Sequence, residues 1–349
     1  MVKFEFMSQD MKLPLIGMTL PQLKEVVAEL GMPGFSAGQI AQWLYEKRVT
    51  DIEEMTNLSK ANREKLAAKY CVGRYAPSNE MRSIDGTVKY LFTTADGQAV
   101  ESVYIPDDDR ATLCISSQKG CKMGCKFCMT GKQGFNGNLT AAEIVNQVLS
   151  IPESTTLTNV VFMGMGEPMD NFDEVLKVLK VMTEKWGFAW SPKRITVSSI
   201  GKLDTLRRLL DETSVHVAIS VHSPYHEERL SLMPVEKPYP VRDVMKCLRQ
   251  YDFAHQRRLS VEYIMWSGLN DDDTHAQALV DLLAGSNSRV NLIRFHAIPG
   301  VNLKTTDEQR MVAFRDYLNK KGVIATIRRS RGEDIFAACG MLAGKVKKK

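Results

Sequence analysis

The sequence predicts an α/β protein in which an incomplete (β/α) barrel follows a small helical domain and a short antiparallel β meander. Three observations predict it. After Arg110, short β-branched runs (ATLCIS, TNVVFM, RITVSS, VHVAISV, LSVEYIM, VNLIRF, VIATIR) alternate with helix-like segments such as FDEVLKVLKVMTEKW, VRDVMKCLRQY and EQRMVAFRDYLNKK. Such alternation implies parallel strands joined by right-handed crossovers. No glycine-rich dinucleotide fingerprint interrupts the series, so a partial barrel is preferred to a doubly wound open sheet. The chain before this region has apolar residues at helical spacing, then switches to strand-like alternation.

In chain order, residues 1–72 read as a helical accessory domain. LPQLKEVVAEL and SAGQIAQWLYEKRV carry apolar stripes, LSKANREKLAAKY makes a third helix, and GMPGF breaks the first pair. Residues 73–106 read as the meander, with hairpin turns at Asp85-Gly86 and Asp96-Gly97. Glu101 falls in its last strand, where a lone glutamate ordinarily faces solvent. Residues 107–334 form the barrel, whose catalytic groups belong at the carboxyl ends of its strands. Residues 335–349 end the chain as a loop bearing Cys339 and a basic tail, KVKKK.

Composition narrows the function classes. With 44% hydrophobic and 25% charged residues the 349-residue chain is globular. No apolar run approaches the roughly 20 residues of a membrane-spanning helix, and the N-terminus lacks a signal-peptide layout, so a cytoplasmic protein is expected. Seven unevenly spaced cysteines suit reduced thiols and a metal site, not a disulfide framework. The net charge of +5 is lopsided: from Arg289 onward there are 14 Lys and Arg against 5 Asp and Glu. That surplus reads either as a solvated tail or as a surface for a polyanion such as nucleic acid.

The chemistry concentrates in GCKMGCKFCMTGKQGF, where Cys121, Cys125 and Cys128 follow the first barrel strand with C-x3-C-x2-C spacing. Thiolates this close can share one metal centre. Structural zinc normally takes four ligands, often as two separated pairs, whereas this triplet has no conspicuous fourth Cys or His beside it. A [4Fe-4S] cluster with one open iron fits best, and a zinc knuckle completed by a distant His is the alternative. The loop then enters a helix through the capping box Thr140-x-x-Glu143.

This motif, with Phe127 before its last cysteine, resembles the radical S-adenosylmethionine (SAM) superfamily. With CISSQKGCKMGCKFCMTGKQGFNGNLTAAEIVNQV, MGMGEP and RGEDIFAACGML, nearly the whole chain resembles the RlmN/Cfr group of RNA adenosine methyltransferases. The resemblance implies that Cys121, Cys125 and Cys128 hold the cluster and that SAM occupies the open iron. It implies two SAM molecules per turnover: one methylates Cys339, and the other yields a deoxyadenosyl radical that takes hydrogen from the S-methyl group. The resulting carbon radical adds to adenine. Glu101 is implied as the proton acceptor, and Cys114 as the cysteine that resolves the RNA–protein adduct through a transient disulfide with Cys339.

The resemblance further implies SAM contacts from Gly166, Glu167, Ser198, Ser220, Val221 and His222, and from His296, where many relatives carry asparagine. Implied partners are 23S ribosomal RNA, a tRNA adenosine beside the anticodon, and an electron donor such as flavodoxin, with a monomer sufficing. Read alone, Cys114 in ATLCIS is a buried apolar thiol, and Cys339 before Gly340 sits in a more exposed setting. VESVYIPDDDRATLC and NEMRSIDGT lean the reading towards methylation at C2 of adenine. Methylation at C8, as in the Cfr enzymes, is the nearest alternative, and a non-catalytic zinc-stabilised RNA-binding protein is the alternative from another class.

Overall fold

Backbone hydrogen bonding organises the chain around one ten-stranded sheet whose strand order follows the sequence. The computed structural model describes residues 12–255 and 257–343. The KVKKK tail and the extreme N-terminus lie outside these. Packing divides the chain into two units: Met1–Tyr75 with Thr140–Ser150 and Lys177–Trp190, and Ala76–Leu139 with Ile151–Leu176 and Ser191–Lys349.

The first unit holds helices Leu20–Glu29, Ser36–Ala41, Lys60–Lys69 and Ala141–Leu149. Leu23, Val26, Val27 and Ile40 are buried, each contributing about 1.5–3 kcal/mol through removal from water. The second helix stops at Ala41 and continues as a wider π turn over Gln42–Glu46. There Tyr45 is buried, and its hydroxyl donates to Met18 O at 2.5 Å. Ala141–Leu149 joins this unit through side-chain chemistry that local pattern does not reveal. The Asn146 carboxamide accepts from Tyr75 N at 3.0 Å and donates to Tyr75 O at 2.9 Å, while Arg74 donates to Leu149 O at 2.6 Å. The expected capping box is present: Thr140 Oγ1 accepts from Glu143 N at 3.2 Å, and Thr140 N donates to Glu143 at 2.8 Å.

The sheet lies in the second unit. Its strands are β1 (Asn79–Arg82), β2 (Val88–Thr93), β3 (Ala99–Asp107), β4 (Arg110–Cys114), β5 (Asn159–Phe162), β6 (Ile195–Ser199), β7 (His216–Ser220), β8 (Leu259–Met265), β9 (Ser288–Arg294) and β10 (Ala325–Ile327). Strands β1 to β4 pair antiparallel, and β4 to β10 pair parallel. The meander therefore continues the barrel sheet. Both hairpin turns fall where expected, with Gly86 at φ +84° and Gly97 at φ +76°.

The sheet is not closed, since β1 and β10 each have a single neighbour. It curls nonetheless: one chamber of about 730 Å³ is lined by Ile105 of β3, Thr112 of β4, Val161 of β5, Thr196 of β6, Asn291 of β9 and Thr326 of β10. The architecture is a partial barrel with helices between its parallel strands. Leu113, Val160, Val197, Val217, Val261 and Leu292 are buried within these strands.

Candidate active site

Each cysteine of the triplet is held by the backbone around it. Gly120 turns the chain at φ +82°, where a Cβ would lie 1.9 Å from Gly134 O, and Cys121 N then donates to that oxygen at 2.8 Å. Phe127 anchors the loop in the apolar core, its ring 4.9 Å from His222 and 5.2 Å from Trp266. The sulfur-bearing residues face a cavity of about 160 Å³ walled by strand ends: Gly164, Gly166 and Glu167 after β5, Ser198 of β6, Ser220 of β7 and Ile264 of β8.

The residues present fit a multi-iron cluster. Cys121, Cys125 and Cys128 line one cavity, as ligands of one shared centre must. Burial pushes the Cys121 thiol up to about 12 and the Cys125 thiol well above its usual range, so an ionised sulfur here needs a compensating cation centre.

Beside the cysteines, Gly166 has φ +97°, and a Cβ there would lie 2.5 Å from Gln118 Cβ. Glu167 N donates to Gln118 Oε1 at 2.8 Å, and the Glu167 carboxylate accepts from Met169 N at 3.1 Å and Ile200 N at 3.0 Å. Burial outweighs these hydrogen bonds and raises its pKa to about 7. A cation placed against it would restore the ionised form, which suits an ammonium-bearing ligand. Gly166→Ala is expected to close this corner by strain and overlap. Equilibrium dialysis with SAM, the ligand that the sequence resemblance implies, should find affinity down about tenfold or more, roughly 1.4 kcal/mol, with the protein still folded.

Ser198, Ser220 and His222 line the same cavity. His222 adopts φ +59°, its Nδ1 accepts from Ile264 N at 3.0 Å, and burial, then Arg229, lowers its pKa to about 3. It is a neutral, fixed ring. Val221 is buried outside the cavity lining, where its carbonyl accepts from Arg229 Nε at 3.0 Å. His296 faces the larger chamber instead, with Ser330 Oγ 3.2 Å and Glu333 3.3 Å away.

Cys339 joins the cavities. It is exposed and lines both the cysteine pocket and the large chamber. Its loop is tied down at four points: Lys89 Nζ donates to Phe336 O at 3.3 Å, Met129 N to Gly340 O at 2.8 Å, Thr130 Oγ1 to Leu342 O at 2.7 Å, and Ala343 N to Glu101 at 2.8 Å. Two of these ties come from the helix that begins at Met129, directly after Cys128.

Glu101 is buried, contrary to the ordinary expectation for a strand glutamate, and pairs with Lys89 at 3.1 Å. It lies beneath the Cys339 loop. Lys89→Met is expected to uncover a buried carboxylate and loosen the loop, costing about 3–5 kcal/mol. Hydrogen exchange over residues 336–343 should accelerate, while strands β5 to β8 stay protected.

Cys114 sits two residues beyond Thr112, on the same face of β4. It is buried; burial first, then the proximity of Cys339, raises its pKa to about 12 against the pull of Arg328. All seven cysteines are free thiols. By sequence Arg328 is one of three arginines, with Arg329 and Arg331, in the basic C-terminal segment. It lines both cavities, lies 3.6 Å from Glu262, and is electrostatically coupled first to Cys339, then to Glu262 and Cys114. The inward alternation of LSVEYIM and VIATIR could have pointed to Glu262 and Arg328. No local signal points to Arg229, whose wholly buried guanidinium donates to Ile200 O at 3.2 Å, Ser220 O at 3.0 Å and Val221 O, and pairs with Glu236.

Comparison with known proteins accords with this geometry. Residues 115–280 match the Radical SAM superfamily, and residues 13–72 match the ribosomal RNA large subunit methyltransferase N-terminal domain. The probable dual-specificity RNA methyltransferase RlmN of Parabacteroides distasonis is 60% identical, covering 95% of this chain and 97% of its own length. The dual-specificity RNA methyltransferase RlmN of Halorhodospira halophila is 43% identical over 95% and 94% of the two chains. The crystal structure of a radical SAM methyltransferase from Sphaerobacter thermophilus superposes with a TM-score of 0.89 at 38% identity, covering 95% of this chain and all of that one.

Proposed function

Since this chain belongs to the RlmN family of radical SAM RNA methyltransferases, we propose that it methylates C2 of an adenosine in 23S ribosomal RNA and of the tRNA adenosine beside the anticodon. The observation that carries the reading is the position of Cys339, an exposed thiol lining both the pocket of the three cysteines and a chamber large enough for a nucleotide. A methyl carrier must meet a methyl donor on one side and a base on the other.

Membership implies SAM and a [4Fe-4S] cluster, which Cys121, Cys125 and Cys128 would hold. When bound, these supply the deoxyadenosyl radical that activates an S-methyl group. Adenine C2 is an electron-poor amidine carbon, so direct attack on a SAM methyl group is unfavourable, and a carbon radical on a protein sulfur avoids that step. In this reading Cys339 accepts a methyl group from one SAM, a second SAM is consumed in activating it, and Cys339 then joins protein to RNA.

Glu101 takes the ring proton; its hydrogen bond from Ala343 N ties the acceptor to the loop that carries Cys339. With the ring proton gone, one electron must also leave the adduct, for which the oxidised cluster would be the acceptor. The Cys114 thiolate then attacks the Cys339 sulfur, and the sulfur–carbon bond breaks with its electron pair on the methylene carbon. That carbon takes up a proton to become the methyl group, and the resulting disulfide is reduced by cellular thiols. Gly166 and Glu167 would bind the aminoacyl end of SAM, with Ser198, Ser220 and His222 along its length. His296 faces the base chamber, and in this reading it serves RNA in place of SAM.

A cytoplasmic monomer taking electrons from a flavodoxin-like protein meets these needs. No helix among the described residues is long and apolar enough to cross a membrane. Peptide mass spectrometry after anaerobic incubation with SAM tests the carrier role: a methylated peptide containing Cys339 is expected. Methylation confined to another residue would remove Cys339 from the mechanism.

A further inference from the structure

A second basic cavity of about 530 Å³ opens at the other end of the strands. Lys193 precedes β6, His216 begins β7, Arg258 precedes β8, Arg289 lies at the start of β9, and Lys321 follows the helix Glu308–Lys320; all line it together with Arg257. Among the described residues no carboxylate lines it. The Arg257 guanidinium is anchored to Leu210 O at 2.8 Å and to Thr213 O, yet its buried Nε has no hydrogen-bond partner among the described residues.

His216 lies among these cations, its Nδ1 accepting from Arg258 N at 2.9 Å. Burial is the main cause that lowers its pKa to about 4, and Arg258, Lys193 and Arg257 add to it. A concavity lined by cations and by no described carboxylate attracts an anion.

The cavity adjoins the large chamber. It shares Lys193, His216 and Arg258 with the large chamber, which in turn shares Ile293, Arg328 and Cys339 with the cysteine pocket. His216 and Ser220 mark the two ends of β7, about 13 Å apart for a strand of that length. The cations therefore lie about a strand length from the Ser220 end of the site, within reach of a phosphate that flanks the target nucleotide.

We propose that this pocket is a phosphate subsite for the RNA strand flanking the target adenosine, which crosses the amino-terminal rim of the sheet while the extruded base lies along the inner face towards Cys339. The proposal rests on the RNA methyltransferase reading. Phosphate contacts of this kind supply affinity and register without reading sequence, and a base drawn out of its stack must be offset by such contacts. An acidic protein reductant would also be attracted to cations, but here it would stand a strand length away from the cluster cysteines.

The test uses the full chain with its cluster loaded. Lys193, Arg289 and Lys321 are exposed, and Lys193→Gln, Arg289→Gln and Lys321→Gln, singly and combined, remove charge with little cost to the fold. Binding of a hairpin RNA with the target adenosine in its loop is followed by anisotropy across a salt series. The slope of log affinity against log salt is expected to fall by about one per charge removed, with the loss of turnover carried mainly by KM for RNA.

A triple variant with the wild-type slope and KM would overturn the proposal. So would an unchanged slope with turnover lost only when an acidic protein reductant replaces dithionite, which would assign the pocket to the reductant. Wild-type protein that neither binds nor methylates RNA would instead overturn the methyltransferase reading, and this subsite with it.

Discussion

Cys114→Ala protein, supplied with SAM, a reductant and unmodified RNA, is expected to accumulate a covalent protein–RNA adduct, whereas Cys339→Ala forms none and loses turnover by at least about 10³-fold. The asymmetry follows from the two settings. Cys339 is exposed between the cavities and is the proposed attachment point; Cys114 is buried on β4 and in the proposed mechanism acts only in release. Denaturing gels with labelled RNA read both outcomes. Normal turnover in Cys114→Ala would remove it from the mechanism.

The protonation state of Cys114 adds a pH signature. A thiol raised to about 12 is almost wholly protonated at neutral pH, and the attacking species is the thiolate. If adduct release limits turnover, its rate should rise with pH, by about tenfold per unit while pH stays below that pKa. Arg328 opposes the shift, so Arg328→Gln should slow release by one constant factor at every pH below that value, with the slope unchanged. Direct titration of the Cys114 thiol, moved further up, would separate this from general damage.

The second large effect is expected at Arg229. Its guanidinium joins the carbonyl ends of two pocket-forming segments, at Ile200 and at Ser220-Val221, and is paired with Glu236, which also accepts from Val241 N at 2.9 Å. Both side chains are essentially inaccessible to water. Arg229→Ala strands the Glu236 charge and three carbonyls, which should cost about 3–5 kcal/mol. Denaturant titration of the cluster-free protein should reveal that loss. A restoring Arg229→Ala/Glu236→Gln double variant should recover part of it, which mere volume loss would not allow.

Much of this molecule was legible in its sequence because its strongest signals are local. Seven β-branched runs gave seven parallel strands, the Asp-Gly pairs gave both hairpins, and Thr140-x-x-Glu143 gave a capped helix. The cysteine spacing located the candidate site at a strand end. What was not legible depends on partners far along the chain. Glu101 looked like a surface residue because nothing near it announces Lys89 across the hairpin or Ala343 at the other end of the protein.

Arg229 gave no sign of being buried, since its acceptors are backbone carbonyls on other elements. The resemblance groups His296 with the SAM contacts, while the turn after β9 places it on the large chamber and outside the lining of the cysteine pocket. The helix Ala141–Leu149 belongs by sequence to the barrel series and by packing to the N-terminal helices, an outcome set by the Asn146 and Arg74 side chains.

The central claim is that this chain places a methyl group on C2 of an adenine in RNA. Cluster-loaded protein, SAM, a reductant and 23S ribosomal RNA lacking the modification are combined anaerobically, and the RNA is digested and its nucleosides separated by mass spectrometry. 2-Methyladenosine is the expected product. 8-Methyladenosine would contradict the C2 assignment while retaining the cysteine chemistry, and deoxyadenosine without any methylated base would contradict the substrate itself.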